Sequence, residues 1–155
     1  MVVSDDVLYQ LDDPELLNAL RCIHRALKPG GIFITNNNAF AVFGGIHDIA
    51  VGSKRRFVKG DFDRFLAAFP DFRIEKSTYW SLVLSPLILG VRLFQRLQLK
   101  WGLVNADEVQ SDVSLPSEGV NRFLYRVCSL ERRLLKRAPF GSSLFLVIRK
   151  SDLSQ

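Results

Sequence analysis

Residues 12–35 constrain this chain more than any other stretch. Asp13, Pro14 and Glu15 make a helix start: Asp13 caps, Pro14 suits the first turn, and Glu15 favours the positive end of the helix dipole. Leu16, Leu20, Ile23 and Leu27 follow at helical spacing and form one apolar face. Lys28-Pro29-Gly30-Gly31 stops the helix, and residues 32–35 read as a compact apolar strand. Helix, tight glycine turn and buried strand are the second part of a βαβ unit, which calls for a parallel sheet. Residues 1–4 read as the tail of the short buried strand that such a unit needs before its helix.

Further on, residues 36–56 hold three asparagines and three glycines and read as a loop. Ligands of open α/β sheets sit outside the carboxyl ends of the strands, so this loop and the stretch after Ser4 both point at a site. A short helix is expected over residues 61–69, with Phe62, Phe65, Leu66 and Phe69 inward, then a strand over residues 72–79. Ser85-Pro86 starts a helix that runs to about residue 101, with Leu87, Val91, Phe94, Leu97 and Trp101 on its apolar side and Arg92, Gln95 and Arg96 opposite. Residues 105–119 are polar and irregular. A second helix over residues 120–137 carries Val120, Phe123, Val127, Leu130 and Leu134 on one face, and residues 144–148 make a final strand.

At 155 residues the chain fits one domain. The longest greasy run, residues 82–91, is broken by Ser85 and Pro86 and is too short for the roughly 20 apolar residues that span a bilayer. Cys22 and Cys128 have no second thiol or histidine at metal-binding spacing, so a reduced, cytoplasmic setting is expected. The net charge of +5 favours acidic or phosphorylated partners or an anionic membrane. That excess is concentrated: the two long helices hold nine Lys/Arg against one acid, Glu131. Such a pattern is either a solvated face or a surface for an anionic or lipid-linked substrate or a membrane. No aromatic-and-basic strand pattern accompanies it, so nucleic acid is not an expected partner.

Val2-Val3-Ser4-Asp5-Asp6-Val7-Leu8, then Leu11-Asp12-Asp13-Pro14, then His24-Arg25-Ala26-Leu27-Lys28-Pro29-Gly30-Gly31 together resemble class I S-adenosylmethionine-dependent methyltransferases, in the subset that acts on quinones and other small molecules. The resemblance covers residues 1–79 and 139–150, where Pro139-Phe140-Gly141-Ser142-Ser143 is similar to the lead-in to that family's last strand. It implies an α/β fold, the C-terminal half of a Rossmann-like methyltransferase sheet: residues 1–4 are its fourth strand and residues 32–35 its fifth. Residues 81–138 are then a two-helix insertion, or lid, before the last strand, and residues 1–155 a partial methyltransferase domain. The family's glycine-rich turn after a first strand has no counterpart in this sequence, which implies that strands one to three lie upstream and that the chain alone binds the family's cofactor weakly or not at all. Tyr9-Gln10 stands where the family often has Glu-His.

The resemblance also implies a cofactor, S-adenosylmethionine, whose cationic methionine end would be lined by Ser4, Asp5 and Asp6; the other reading of the two acids is a loop cap. Asn38 matches the family's asparagine after the fifth strand and would hydrogen-bond a substrate, or else simply turns the chain. Methyl transfer is an in-line displacement governed by positioning, with a base needed only where the nucleophile carries a proton. His47, with Asp48 beside it toward the substrate, is the imidazole placed for that task, the other reading being an exposed loop histidine. His24 reads as structural. The expected acceptor is a small molecule, anionic or lipid- or glycan-linked. The contrasting expectation is a non-catalytic module that binds a partner chain or, through the basic helices, the periphery of a membrane. In either case residues 1–4 would present an unpaired strand edge, and self-association is expected.

Overall fold

The computed structural model describes residues 1–45, 48–49, 51–101 and 117–151. They form a mixed α/β arrangement: strand β1 (Val2–Asp5), helix α1 (Asp13–Ala26), strand β2 (Ile32–Asn38), helix α2 (Lys59–Leu66), strand β3 (Phe72–Trp80), helices α3 (Ser85–Lys100) and α4 (Glu118–Leu134), and strand β4 (Ser143–Lys150). The sheet has the order β1-β2-β4-β3. β1 and β2 are parallel, with α1 as their crossover, and β4 runs antiparallel to both β2 and β3. Much of the irregular stretch expected at 105–119 lies outside the described residues, as does His47.

α1 starts one residue earlier than expected. Asp12, not Asp13, is the cap: its Oδ1 accepts from the Glu15 backbone N–H at 2.9 Å, and Glu15 Oε2 accepts from the Asp12 N–H at the same distance. Two carboxylates three residues apart satisfy two otherwise orphaned donors reciprocally, which a cap at Asp13 could not do. At the other end Gly30 takes φ +73°, a conformation that costs a side-chain-bearing residue energy and glycine almost none. Lys150 closes the same end from β4, its Nζ donating to the carbonyls of His24 (2.8 Å) and Leu27 (3.0 Å). A cation there meets the negative end of the helix dipole.

Burial alternates along β2 and β4, so the sheet has one fully covered face. Phe33, Leu144, Leu146 and Ile148 line that face and pack with Leu16 and Leu20 of α1 and Phe62 and Leu66 of α2. Each such side chain contributes about 1.5–3 kcal/mol by leaving water. The opposite face, with Ile34, Phe145 and Val147, is only half-buried. β1 is one of the two edge strands. Its Val3 is 58% exposed, so the strand expected to be buried is covered on one face alone. No helix among the described residues is long and apolar enough to cross a membrane.

Residues 36–38 depart from the expected loop. They extend β2 by three residues, pairing with Phe145, Leu144 and Ser143 of β4. Asparagine is a poor strand former, but a neighbouring strand that offers a complete hydrogen-bond ladder outweighs that preference.

His24 serves the fold. Its Nε2 lies 2.7 Å from both oxygens of buried Asp71, and its ring packs between Phe69 and Phe72, so α1 is fixed to the start of β3. Replacing Asp71 with Ala strips a partner from the imidazole and should destabilise the chain by about 2 kcal/mol. Thermal melts should show a drop of roughly 4–8 °C; an unchanged midpoint would remove the pair from the forces holding α1 to β3.

Candidate functional site

β1 and β2 end side by side, and their last residues create the polar rim. Register decides which side chains meet. Ser4 pairs with Thr35 and Asp5 with Asn36, so Ser4 lies on the covered face with Thr35 and Asn37, and Asp5 on the open face with Asn36. Ser4 and Asp5, expected to line one ligand together, therefore look onto opposite faces. The reason is the two-residue period of a strand. Asp6 turns the chain just beyond, at φ +49°, with its N–H donating to the Asn36 carbonyl at 3.0 Å.

On the open face three side chains form a relay. Asn36 Nδ2 donates to Asp5 Oδ1 at 3.0 Å, and Trp80 Nε1 donates to Asn36 Oδ1 at 3.1 Å. Both ends of the Asn36 amide are thereby oriented. Sequence reasoning named Asp5 but missed Asn36 and Trp80. The asparagine triplet was a visible signal for the first; nothing marked Trp80, which arrives from the end of another strand. On the covered face Asn37 Nδ2 donates to Thr35 Oγ1 at 2.8 Å, while Asn37 Oδ1 is buried with no hydrogen-bond partner among the described residues. A buried acceptor left in that state costs about 1–3 kcal/mol. Asn38 is the last residue of β2, half-buried, its carbonyl accepting from the Phe57 N–H at 2.8 Å.

The segment that follows is held down by three consecutive cations, each matched to a different acid. Lys54 Nζ donates to Glu15 Oε2 at 3.0 Å, Arg55 pairs with Asp13 at 2.6 Å, and Arg56 pairs with Asp48. The Arg56 pair is two-pronged, Nε to Oδ2 at 2.9 Å and Nη2 to Oδ1 at 2.7 Å, while Arg56 Nη1 donates to the Ala39 carbonyl at 3.1 Å. Asp48 Oδ2 also accepts from the Gly45 N–H at 3.2 Å. Asp48, expected to touch substrate, has both oxygens engaged in fastening this segment beside the strand ends. His47, the expected base, lies outside the described residues.

Charge completes the site. Tyr9 is buried, and burial together with the carboxylates of Asp6 and Asp48 pushes its phenol up. Arg92 and Arg96 approach from α3. Arg96 Nη2 donates to the carbonyls of Val42 and Gly44, each at 2.8 Å. Burial, aided by neighbouring Arg56, pulls the Arg92 guanidinium down. Among the described residues no group of three or more His, Cys, Asp or Glu could hold a metal ion.

Asp48 sets the acid response of this segment. Burial pushes its carboxyl up, but the Arg56 hydrogen bonds and charge outweigh that and hold it below the usual range. A carboxyl depressed in the folded state stabilises fully above its unfolded pKa, and that contribution is lost as pH falls through the folded value. Asp48→Asn should therefore cost about 2–3 kcal/mol at neutral pH, by leaving Arg56 without its counter-charge. Denaturant titrations should show the gap between the two proteins closing below pH ~4. A gap that persists or widens in acid would mean that the charge pair does not anchor the segment.

In comparisons with known proteins, no family model and no curated protein matches this chain. The functional reading accordingly rests on its own residues.

Proposed function

We propose that this chain is part of a class I S-adenosylmethionine-dependent methyltransferase that acts on a small-molecule or lipid- or glycan-linked acceptor. The observation that carries the reading is the parallel β1–α1–β2 unit, entered through the Leu27-Lys28-Pro29-Gly30-Gly31 turn, with Asp5, Asn36 and Asn38 at the carboxyl ends of its strands. Ligands of open α/β sheets gather at that end. Two features of the sheet support the wider fold. β1 is bonded on one side only, and its other side is where the family's first strand would pair. The antiparallel β4 returns beside β2 after a helical excursion.

The residues present fit one end of the cofactor. A sulfonium is cationic, and Asp5 offers a carboxylate whose position is fixed by Asn36. When bound, S-adenosylmethionine supplies an activated methyl group. This chain's part is to orient the methionine end through Asp5, to present Asn38 to the acceptor, and to keep the segment after β2 fastened through Asp48 and Arg56. His47 would take a proton from the acceptor where one must leave. An adenosine-binding glycine turn is not among these residues, so the cofactor's other half is held elsewhere.

Residues 1–155 alone are accordingly expected to bind S-adenosylmethionine more weakly than micromolar by titration calorimetry. In a longer chain that adds the glycine-rich strands, Asn38→Ala and His47→Ala should slow single-turnover methyl transfer about 10²-fold or more while cofactor affinity stays within a few-fold. Micromolar binding by residues 1–155 would overturn the division of the site, and unaltered single-turnover rates in both variants would overturn the acceptor assignment.

A further inference from the structure

Helices α3 and α4 are turned the opposite way from a pair of core helices. The faces that hydrophobic periodicity marks as inward lie outward. On α3, Leu87, Val91, Phe94 and, just past the helix end, Trp101 are 48–66% exposed. Arg92 and Gln95 instead are half-buried against the Gly45 backbone, where a side-chain carbon on that glycine would stand 2.7 Å from Arg92 Cδ. α3 thus rests on the body of the protein through its polar side. On α4, Val120, Phe123, Leu130 and Leu134 are 49–71% exposed. The side of α4 that is covered carries Glu131, whose carboxylate accepts from the backbone N–H groups of Leu82 (2.7 Å) and Val83 (2.9 Å) just ahead of α3.

The exposed stripe of α4 is bordered by cations. At 100° per residue, Val120, Phe123, Leu130 and Leu134 fall within one quadrant of the helix, and Arg122, Arg126 and Arg133 follow along its solvent-side border. Of the acids of α4, Glu131 is engaged with the turn before α3, and Glu118 pairs with Arg122 alone, 3.8 Å away at the far end. Arg126, Arg132 and Arg133, with Tyr125, Ser129 and Leu130, line a shallow groove of about 390 Å³. Guanidinium groups in such an arrangement suit phosphate oxygens, each able to donate in parallel pairs.

We infer that α3 and α4 dock this protein on an anionic lipid bilayer, with their apolar stripes in the acyl boundary and the arginines of α4 on lipid phosphates. An exposed apolar stripe that carries Phe123 and is bordered by Arg, together with a second exposed stripe that carries Phe94 and ends at Trp101, is the make-up of helices that lie in the membrane interface. A second copy of this chain is disfavoured as the occupant, because the same arginines would meet across a self-complementary contact and repel. The inference rests on the helices alone and holds whether or not the chain takes part in methyl transfer.

Co-sedimentation of the whole chain with vesicles tests it. Vesicles of phosphatidylcholine with about one-third phosphatidylglycerol should bind the protein, pure phosphatidylcholine at least tenfold less, and 0.5 M salt should release it. In a Trp80→Phe background the emission of Trp101 should shift to the blue on binding. Arg126→Glu with Arg133→Glu, and separately Phe123→Glu, should each weaken binding about tenfold or more. All are at exposed positions, and an unaltered thermal melt shows that a variant still folds. Equal binding to neutral and anionic vesicles, no binding to either, or a dimer at micromolar concentration in which Trp101 is already shielded and vesicles are ignored would each overturn the inference.

Discussion

β4 is bonded along both of its edges, and most of the described structure depends on that double ladder. Ile32–Asn38 pairs on one side and Phe72–Trp80 on the other, so the strand joins the parallel βαβ unit to everything that follows it. Leu144, Leu146 and Ile148 supply the middle of the covered face. Its last residues reach further still. Lys150 closes the end of α1, Arg149 Nη1 donates to the Gly30 carbonyl at 2.9 Å, and the Gly30 N–H donates to the Lys150 carbonyl at 2.8 Å. The Pro-Gly-Gly turn that looks self-contained in sequence is therefore finished by residues over a hundred positions away. Gly141 shows how closely β4's lead-in approaches: a Cβ there would stand 2.7 Å from the Trp80 backbone.

The local rules were readable where a short stretch decides its own fate. The helical spacing of Leu16 and Leu20, the stop at Pro29, and the short strand after it required no outside partner. The cap fell one residue short because both Asp12 and Asp13 can cap, and only the reach of Glu15 selects between them. Residues 36–38 were not readable as strand. Their composition says turn, and the opposing information sits in β4. The long helices show a different limit. Their period was correct, yet a period reveals only that an apolar stripe exists, and the direction it faces is set by what the rest of the protein offers it. Here the chain outside the two helices offers backbone carbonyls to Arg96 of α3 and backbone N–H groups to Glu131 of α4.

At the strand ends the same division recurs. Asp5 and Asn38 could be named because they follow apolar runs in the right context. Asp48 was named for its proximity to His47, but the strongest cue lay in Lys54-Arg55-Arg56, a basic run opposite Asp12, Asp13, Glu15 and Asp48. Three unlike pairings in a row fix the segment's position along its length, since a slip of one residue would break them all at once. The site is thus framed by electrostatics on one side and by the strand register on the other.

The carboxylate of Glu131 has a mechanical meaning. It grips the backbone at Leu82 and Val83, ahead of the first turn of α3, so α4 cannot lift without dragging that turn with it. The two helices are tied to each other there, and α3 is tied to the body through Arg96. Trp80 closes β3 just ahead of that joint, and its indole is the last link of the relay to Asn36 and Asp5. The paired helices are therefore joined, by way of two side chains, to the carboxylate at the end of β1.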